Sequence, residues 1–287
     1  MPSCFFASDL HGSARRYAAL FRAIEEDRPS AVFLGGDLLP SGFGLAGDGD
    51  ADGEDFARGF LRRGFGRLRD ALGDAYPTVF LILGNDDPRC EEETFVEVAA
   101  SGLWEYAHQR RIDWNGYAVY GYSYVPPTPF RLKDWERYDV SRYVDPGCLS
   151  PEEGWRTQPV DQSDLRYGTI QSDLDLLAGA DDLSRAIFLF HCPPYKSPLD
   201  RAALDGRMVD YVPVDVHVGS IAIQRFIASR GPRVTLHGHV HESAALTGEW
   251  RAQLGETYAF SAAHDGPELA LVRFDPEAPE RARRDLI

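Results

Sequence analysis

Cysteine is scarce and unpaired in this chain. The four cysteines among 287 residues, Cys4, Cys90, Cys148 and Cys192, stand far apart and form no CxxC pair. That argues against a zinc ribbon or a disulfide framework, and reduced thiols are the simplest account. No run of 18 apolar residues occurs, so no membrane span is expected. Positive charge is short: 30 Lys and Arg face 45 Asp and Glu, a net charge of -15. Non-specific binding to nucleic acid or an anionic membrane draws on basic surface, and this chain lacks it. Met1 to Leu10 shows no basic region before an apolar stretch and reaches Asp9 too early for a signal peptide, so the expected location is cytoplasmic. Repeats, low-complexity tracts and linkers are missing as well. The expectation is one domain over 1–287, with an aromatic and Pro-rich insertion at about 123–167. What remains is ordinary globular composition, 44% hydrophobic and 26% charged.

The apolar residues are organised as short runs, each ending in a polar turn. Ser3 to Ala7 reads as a buried strand that delivers Ser8-Asp9-Leu10-His11-Gly12. Ser13 can then cap a helix to about Glu26, with Ala14, Tyr17, Ala18, Phe21 and Ile24 on one face. Ala31 to Leu34 is a second strand, followed by Gly35-Gly36-Asp37. Strand–helix–strand alternation predicts a parallel pair in an α/β fold. A helix over about Glu54 to Leu72 leads to a third strand, Thr78 to Leu83, and to Gly84-Asn85-Asp86-Asp87. Ala186 to Phe190 ends at His191. Arg233 to Leu236 ends at His237-Gly238-His239-Val240-His241, where a glycine between histidines permits a tight bend. The carboxyl ends of strands are where open α/β sheets bind ligands.

The remaining segments are less periodic. Gly42 to Gly53 reads as a surface loop; Asp48, Asp50 and Asp52 give it a weak calcium reading, without the glutamate of an EF-hand. Asn115-Gly116 marks a hairpin within Arg111 to Tyr122. Tyr124 to Tyr167, with Trp135, Tyr138, Tyr143 and Trp155, either packs onto the body or stacks on a substrate. Tyr195 to Val218 is a long loop, and the stretch from Pro193 to Ser220 can form a lid, with His217 touching a phosphate or leaving group. Ser220 caps the following helix, whose free N–H groups could hold a phosphate oxygen. Ser243 to Trp250, Glu256 to Ser261 and Leu269 to Phe274 read as antiparallel strands, and the tail from Pro276 as exposed.

Asp9 with His11, Asp37, Asn85, His191, and His239 with His241 share one grammar: an apolar strand, then a metal-ligand type. In order and spacing these stretches resemble the calcineurin-like metallophosphoesterase family, with its DxH, GD, GNH(D/E), H and GHxH motifs, over residues 9 to 241. The resemblance implies two packed mixed β-sheets flanked by helices, an αββα sandwich, with a dinuclear site. It implies that Asp9, His11 and His241 hold one metal. Asn85, His191 and His239 hold the other, and Asp37 bridges. These N and O donors suit Mn2+ first and Fe, Zn or Ni as well. Two cations about 3.5–4 Å apart generate a bridging hydroxide that attacks phosphorus in line.

One position departs from the motif: Asp86 stands where the family has a histidine that assists the leaving group. An ionised carboxylate cannot donate and repels a phosphate dianion. The reading is therefore a phosphodiesterase on a small-molecule or nucleotide diester, with Asn85 and Asp86 in the catalytic set and His217 and Ser220 toward the substrate. A nuclease, a phosphomonoesterase and a non-catalytic interaction module are the alternatives. His237 reads as structural or supporting, Cys192 as structural, and His108 and His264 lack context, although His264 could line the rim.

Overall fold

The computed structural model describes residues 3–40 and 56–287, so the Asp48, Asp50 and Asp52 reading lies outside the described residues. From its start the chain alternates: β1 (Cys4–Ala7), α1 (Ala14–Asp27), β2 (Ala31–Gly35), α2 (Arg62–Leu72), β3 (Thr78–Ile82), α3 (Glu92–Ala99), β4 (Glu105–Tyr106). A hairpin follows, β5 (Arg111–Trp114) and β6 (Tyr117–Tyr122), turning at Asn115 and Gly116 with φ of 47° and 79°. Both values are left-handed, as a two-residue turn of this hand requires. Beyond the aromatic segment come α4 (Gln162–Tyr167), α5 (Ile170–Ala178) and β7 (Ala186–Phe190). A small ribbon, β8 (Met208–Val209) and β9 (Val212–Pro213), precedes α6 (Ile221–Arg230), β10 (Val234–His237) and α7 (Ser243–Thr247). The chain closes with β11 (Arg251–Leu254), β12 (Thr257–Ser261), β13 (Ala270–Phe274) and β14 (Arg283–Leu286).

Two six-stranded mixed sheets result, ordered β14-β13-β1-β2-β3-β4 and β11-β12-β10-β7-β6-β5. β1 through β4 pair in parallel, as do β6, β7, β10 and β12; the outer pairings are antiparallel. Alternation along the strands explains the layers. Phe6, Phe33, Phe80 and Ile82 meet Ile187, Leu189, Leu236 and Phe260 in the core between the sheets. The intervening residues, Phe5, Val32, Leu34 and Leu81, turn outward to Tyr17, Leu20, Ile24, Phe65 and Leu68 of α1 and α2. Phe188 and Phe190 do the same for Phe226 of α6. Each such aromatic contributes on the order of 1.5–3 kcal/mol by leaving water. Among the described residues, no helix is long and apolar enough to cross a membrane.

Several expectations need correction. Ser243–Thr247 is a short helix, because five residues are too few to show a period. β12 runs parallel to β10, and its antiparallel partner is β11. The tail forms the edge strand β14, whose charged residues suit an edge that must not recruit further strands. On α1 the buried face is Tyr17, Leu20, Ala23 and Ile24, while Ala14 and Ala18 are exposed.

Candidate metal centre

The carboxyl ends of β1, β2, β3, β7 and β10 come together through backbone bonds between their loops. Asp9 N–H donates to Gly36 O (3.0 Å), His11 N–H to Asp37 O (2.8 Å) and Gly238 N–H to His191 O (2.8 Å). His239 N–H donates to Asp9 Oδ1 (3.0 Å), which joins the two sheets at this point. Asp9, His11, Asp37 and His239 all have left-handed backbones, with φ of 57°, 45°, 52° and 73°. Such strain costs on the order of 1–3 kcal/mol per residue and concentrates at functional sites. Two glycines permit the crowding. A Cβ on Gly84 would lie 2.3 Å from Asp37 Oδ1, and one on Gly238 would lie 2.0 Å from Ser8 Oγ.

The side chains converge in two groups that share Asp37. Asp9, His11, Asp37 and His241 each offer a ligand atom, all within 4.8 Å of one another. His11 Nε2 and His241 Nε2 face each other at 3.2 Å, and His241 Nε2 is 3.2 Å from Asp9 Oδ1. Asp9 Oδ2 is buried and without a hydrogen-bond partner. In the second group, His191 Nδ1 lies 2.8 Å from Gly35 O, a pure acceptor, so Nδ1 carries the proton. The Nε2 lone pair of a neutral ring then faces Asn85 Oδ1 at 3.0 Å and Asp37 Oδ2 at 3.3 Å. His239 stands beside His191, ring centroids 5.2 Å apart. Acceptors that face one another are held together by a proton or by a metal ion between them, and these N and O donors suit a divalent ion.

The electrostatics agree. Burial opposes ionisation of Asp9, yet the hydrogen bond and charge of His241, with His191 and His11, hold its carboxyl well below the usual range. Burial likewise opposes a charge on His191, but Asp37 and Asp9 outweigh it and push the imidazolium up to about 9. Burial and the neighbouring His191 push His239 down to about 4, keeping its lone pair free. The potential that favours a proton on His191 is one that favours a metal cation.

Asp87 braces the site. Its buried carboxylate accepts N–H bonds from Leu38 (2.9 Å), Leu39 (2.8 Å) and Gly84 (2.8 Å), fixing the Asp37 loop against the Asn85 loop. Asp86 is half-buried at the rim: its N–H donates to Asp37 Oδ1 (2.8 Å), and its Oδ2 is 3.4 Å from His11 Nδ1. Arg16 holds the Asp9 loop from behind through Asp9 O (2.5 Å) and Gly266 O (2.6 Å).

The other candidates sit elsewhere. His237 is stacked on Phe190 and bonded on both nitrogens, to Cys192 O (2.9 Å) and Thr235 Oγ1 (2.8 Å). The Cys192 thiol is buried, its pKa raised by burial, and it donates to Pro193 O. His264 pairs with Glu268 at 3.2 Å. His108 packs among Tyr122, Tyr124 and Trp135. Ser220 does cap α6, accepting from Ile223 N–H, but it is fully buried. Its hydroxyl donates to Asp139 Oδ1 (2.5 Å), and Ile221 and Ala222 N–H also donate to Asp139. A carboxylate of the chain thus fills the place expected for a phosphate oxygen. His217 Nδ1 is held by Asp200 Oδ1 at 2.7 Å, and the side chain is partly exposed. Of the aromatic segment, Trp135 and Tyr138 are buried while Tyr143 and Trp155 are exposed. Trp135 Nε1 donates to Asp87 O (2.8 Å), anchoring the segment to the site. Sequence reasoning missed Asp139, Asp200 and Arg16, for which no local pattern gave a signal.

Comparison with known proteins bears on this arrangement. A structure of TT1561 of Thermus thermophilus has a TM-score of 0.56 at 17% identity, covering 99% of this chain and 98% of that one. A dimetal phosphatase from Danio rerio aligns over 95% of this chain and 91% of its own, with 12% identity and a TM-score of 0.48. No curated protein sequence matches the chain. The family model described as calcineurin-like phosphoesterase matches residues 4–243. By that match the chain belongs to the calcineurin-like phosphoesterase family, which places it among phosphoester hydrolases.

Proposed function

We propose that the chain is a two-metal phosphodiesterase acting on a small-molecule or nucleotide diester. Asp9, His11 and His241 would hold one ion, and Asn85, His191 and His239 the other, with Asp37 shared between the two groups. The observation that carries this reading is the convergence of ligand atoms: Asp9 Oδ2 is buried without a hydrogen-bond donor, and Asp9, His11, Asp37 and His241 each offer a ligand atom within 4.8 Å of the others. Two divalent ions, Mn2+ first among the candidates, would supply Lewis-acid polarisation of a phosphoryl group and activation of water near neutral pH. The chain's own residues do the rest. Asp87 keeps the Asp37 and Asn85 loops in register, and Asn85 presents its carbonyl beside His191. In this reading His217, held through Nδ1 by buried Asp200, would turn Nε2 to the leaving group.

Asp86 supports the diester class. Its carboxylate is partly exposed and lies 3.4 Å from His11 Nδ1, so a phosphate held at this cluster would feel its charge. A monoester brings about two negative charges and a diester one, so the carboxylate penalises the monoester more. The test is Mn2+-reconstituted protein with bis(p-nitrophenyl) phosphate and p-nitrophenyl phosphate. The wild type should prefer the diester. Asp86→His should shift the kcat/KM ratio toward the monoester by at least about tenfold, since one extra unit charge at about 4–12 Å is worth about 4 to 1.4 kcal/mol at an effective dielectric near 20. An unchanged ratio would remove the basis for the diester reading.

A further inference from the structure

The two nitrogens of His11 face different groups. Nε2 lies 3.2 Å from His241 Nε2 and 3.9 Å from Asp37 Oδ2, inside the cluster. Nδ1 lies 3.4 Å from Asp86 Oδ2, on the outer side. That distance is long for a hydrogen bond and short for an ion pair. A metal-ligating histidine commonly gives its second N–H to a carboxylate, which fixes its tautomer and its ring orientation.

We propose that Asp86 is a positioning residue for His11: its carboxylate accepts the Nδ1–H hydrogen bond, which keeps the proton on Nδ1 and leaves the Nε2 lone pair turned to the cation site of Asp9, Asp37 and His241. This rests on the reading that the cluster holds divalent ions. The backbone prepares the contact. Asp86 N–H donates to Asp37 Oδ1 (2.8 Å), and His11 N–H donates to Asp37 O (2.8 Å). Both residues therefore hang from Asp37, and one turn delivers the Asp86 carboxylate to the His11 ring. The His11 side chain is about one-fifth exposed, so packing alone does not fix its ring. A histidine at 86 offers Nδ1–H no anionic acceptor; an aspartate does. The residue that departs from the family motif thus moves from leaving-group chemistry to ligand orientation.

The experiment is calorimetric titration of Mn2+ into the metal-stripped full chain, wild type against Asp86→Ala and Asp86→Asn. Melting of the stripped proteins serves as the control for folding. Asp86 is partly exposed and its backbone bond survives substitution, so the three should melt together. Asp86→Ala should weaken one of two Mn2+ equivalents by about 10–100-fold and leave the other in place. Asp86→Asn keeps an oxygen for Nδ1–H and should lose less. Equal weakening of both equivalents would overturn the proposal in favour of a general loss of negative charge. Unchanged binding of both, with a fall in kcat, would overturn it in favour of direct contact with the substrate. A wild type that takes up no Mn2+ would overturn the two-metal reading itself, and this proposal with it.

Discussion

Among the described residues, carboxylates in two regions of this molecule are finished in opposite ways. At the start of α6, Asp139 receives the Ser220 hydroxyl and the N–H groups of Ile221 and Ala222. In the loop before it, Asp200 receives N–H bonds from Lys196, Ser197 and Gly219 and holds His217. At the strand ends, Asp9 and Asp37 each receive one backbone N–H, from His239 and Asp86, and otherwise face imidazole nitrogens or nothing. The donors decide the difference. A carboxylate given a full set of N–H partners stabilises the fold as it stands. One left facing other acceptors costs about 1–3 kcal/mol per unsatisfied group, and a cation recovers that cost.

The largest effect should come from breaking the unfinished side. Asp9→Asn keeps an oxygen for His239 N–H and removes the charge. With Mn2+ present, kcat/KM on bis(p-nitrophenyl) phosphate should fall by about a thousandfold, since metal stabilisation of a phosphoryl transition state amounts to several kcal/mol. The metal-stripped variant should melt somewhat below the wild type, because His241, His191 and His11 favour the Asp9 charge in the folded state. A stripped variant that does not fold at all would make Asp9 structural, and the contrast with Asp139 would disappear.

The complementary change is Asp139→Ala. It strands two N–H groups at the head of α6 and frees the Ser220 hydroxyl. Loss of these charge-assisted bonds should cost about 2–3 kcal/mol, read as a fall in melting temperature of roughly 5–10 °C. Mn2+ affinity should stay within about twofold. Normal stability with lost metal uptake would instead tie the aromatic segment to the metal site.

The same contrast explains what the sequence made legible. Asp9, Asp37, Asn85, His191, His239 and His241 could be placed because each follows an apolar run and a strand must end where its hydrophobicity ends. Their mutual distances were not legible, since these depend on loop conformations such as the left-handed backbone of Asp37. Asp139 was invisible because it caps a helix 81 residues further along from an irregular segment. α7 was misread and β11 missed for lack of length: four or five residues carry no reliable period. Free N–H groups at Ile221 were a sound inference from local chemistry, which a distant carboxylate had already answered.

His108 lies between the two cases and gives the smallest effect. Its Nδ1 accepts from Ser123 N–H (3.0 Å), so Nε2 bears the proton of the neutral ring, and Nε2 is buried with no partner. Burial, with Arg89 and Arg137 nearby, pushes its pKa down to about 3. The folded ring therefore stays neutral where the unfolded one, near 6.5, takes a proton. Between those values the unfolded state binds more protons, so stability falls as pH drops. From about pH 6.5 to 5, at about 1.36 kcal/mol per unit, His108 should account for about 2 kcal/mol of lost stability. His108→Asn keeps an acceptor for Ser123 N–H and does not titrate. Urea midpoints at pH 7 and pH 5 should therefore differ less for the variant than for the wild type. Equal differences would show that the ring takes up a proton as readily in the folded state as in the unfolded one, and His108 would then not belong with the packed core.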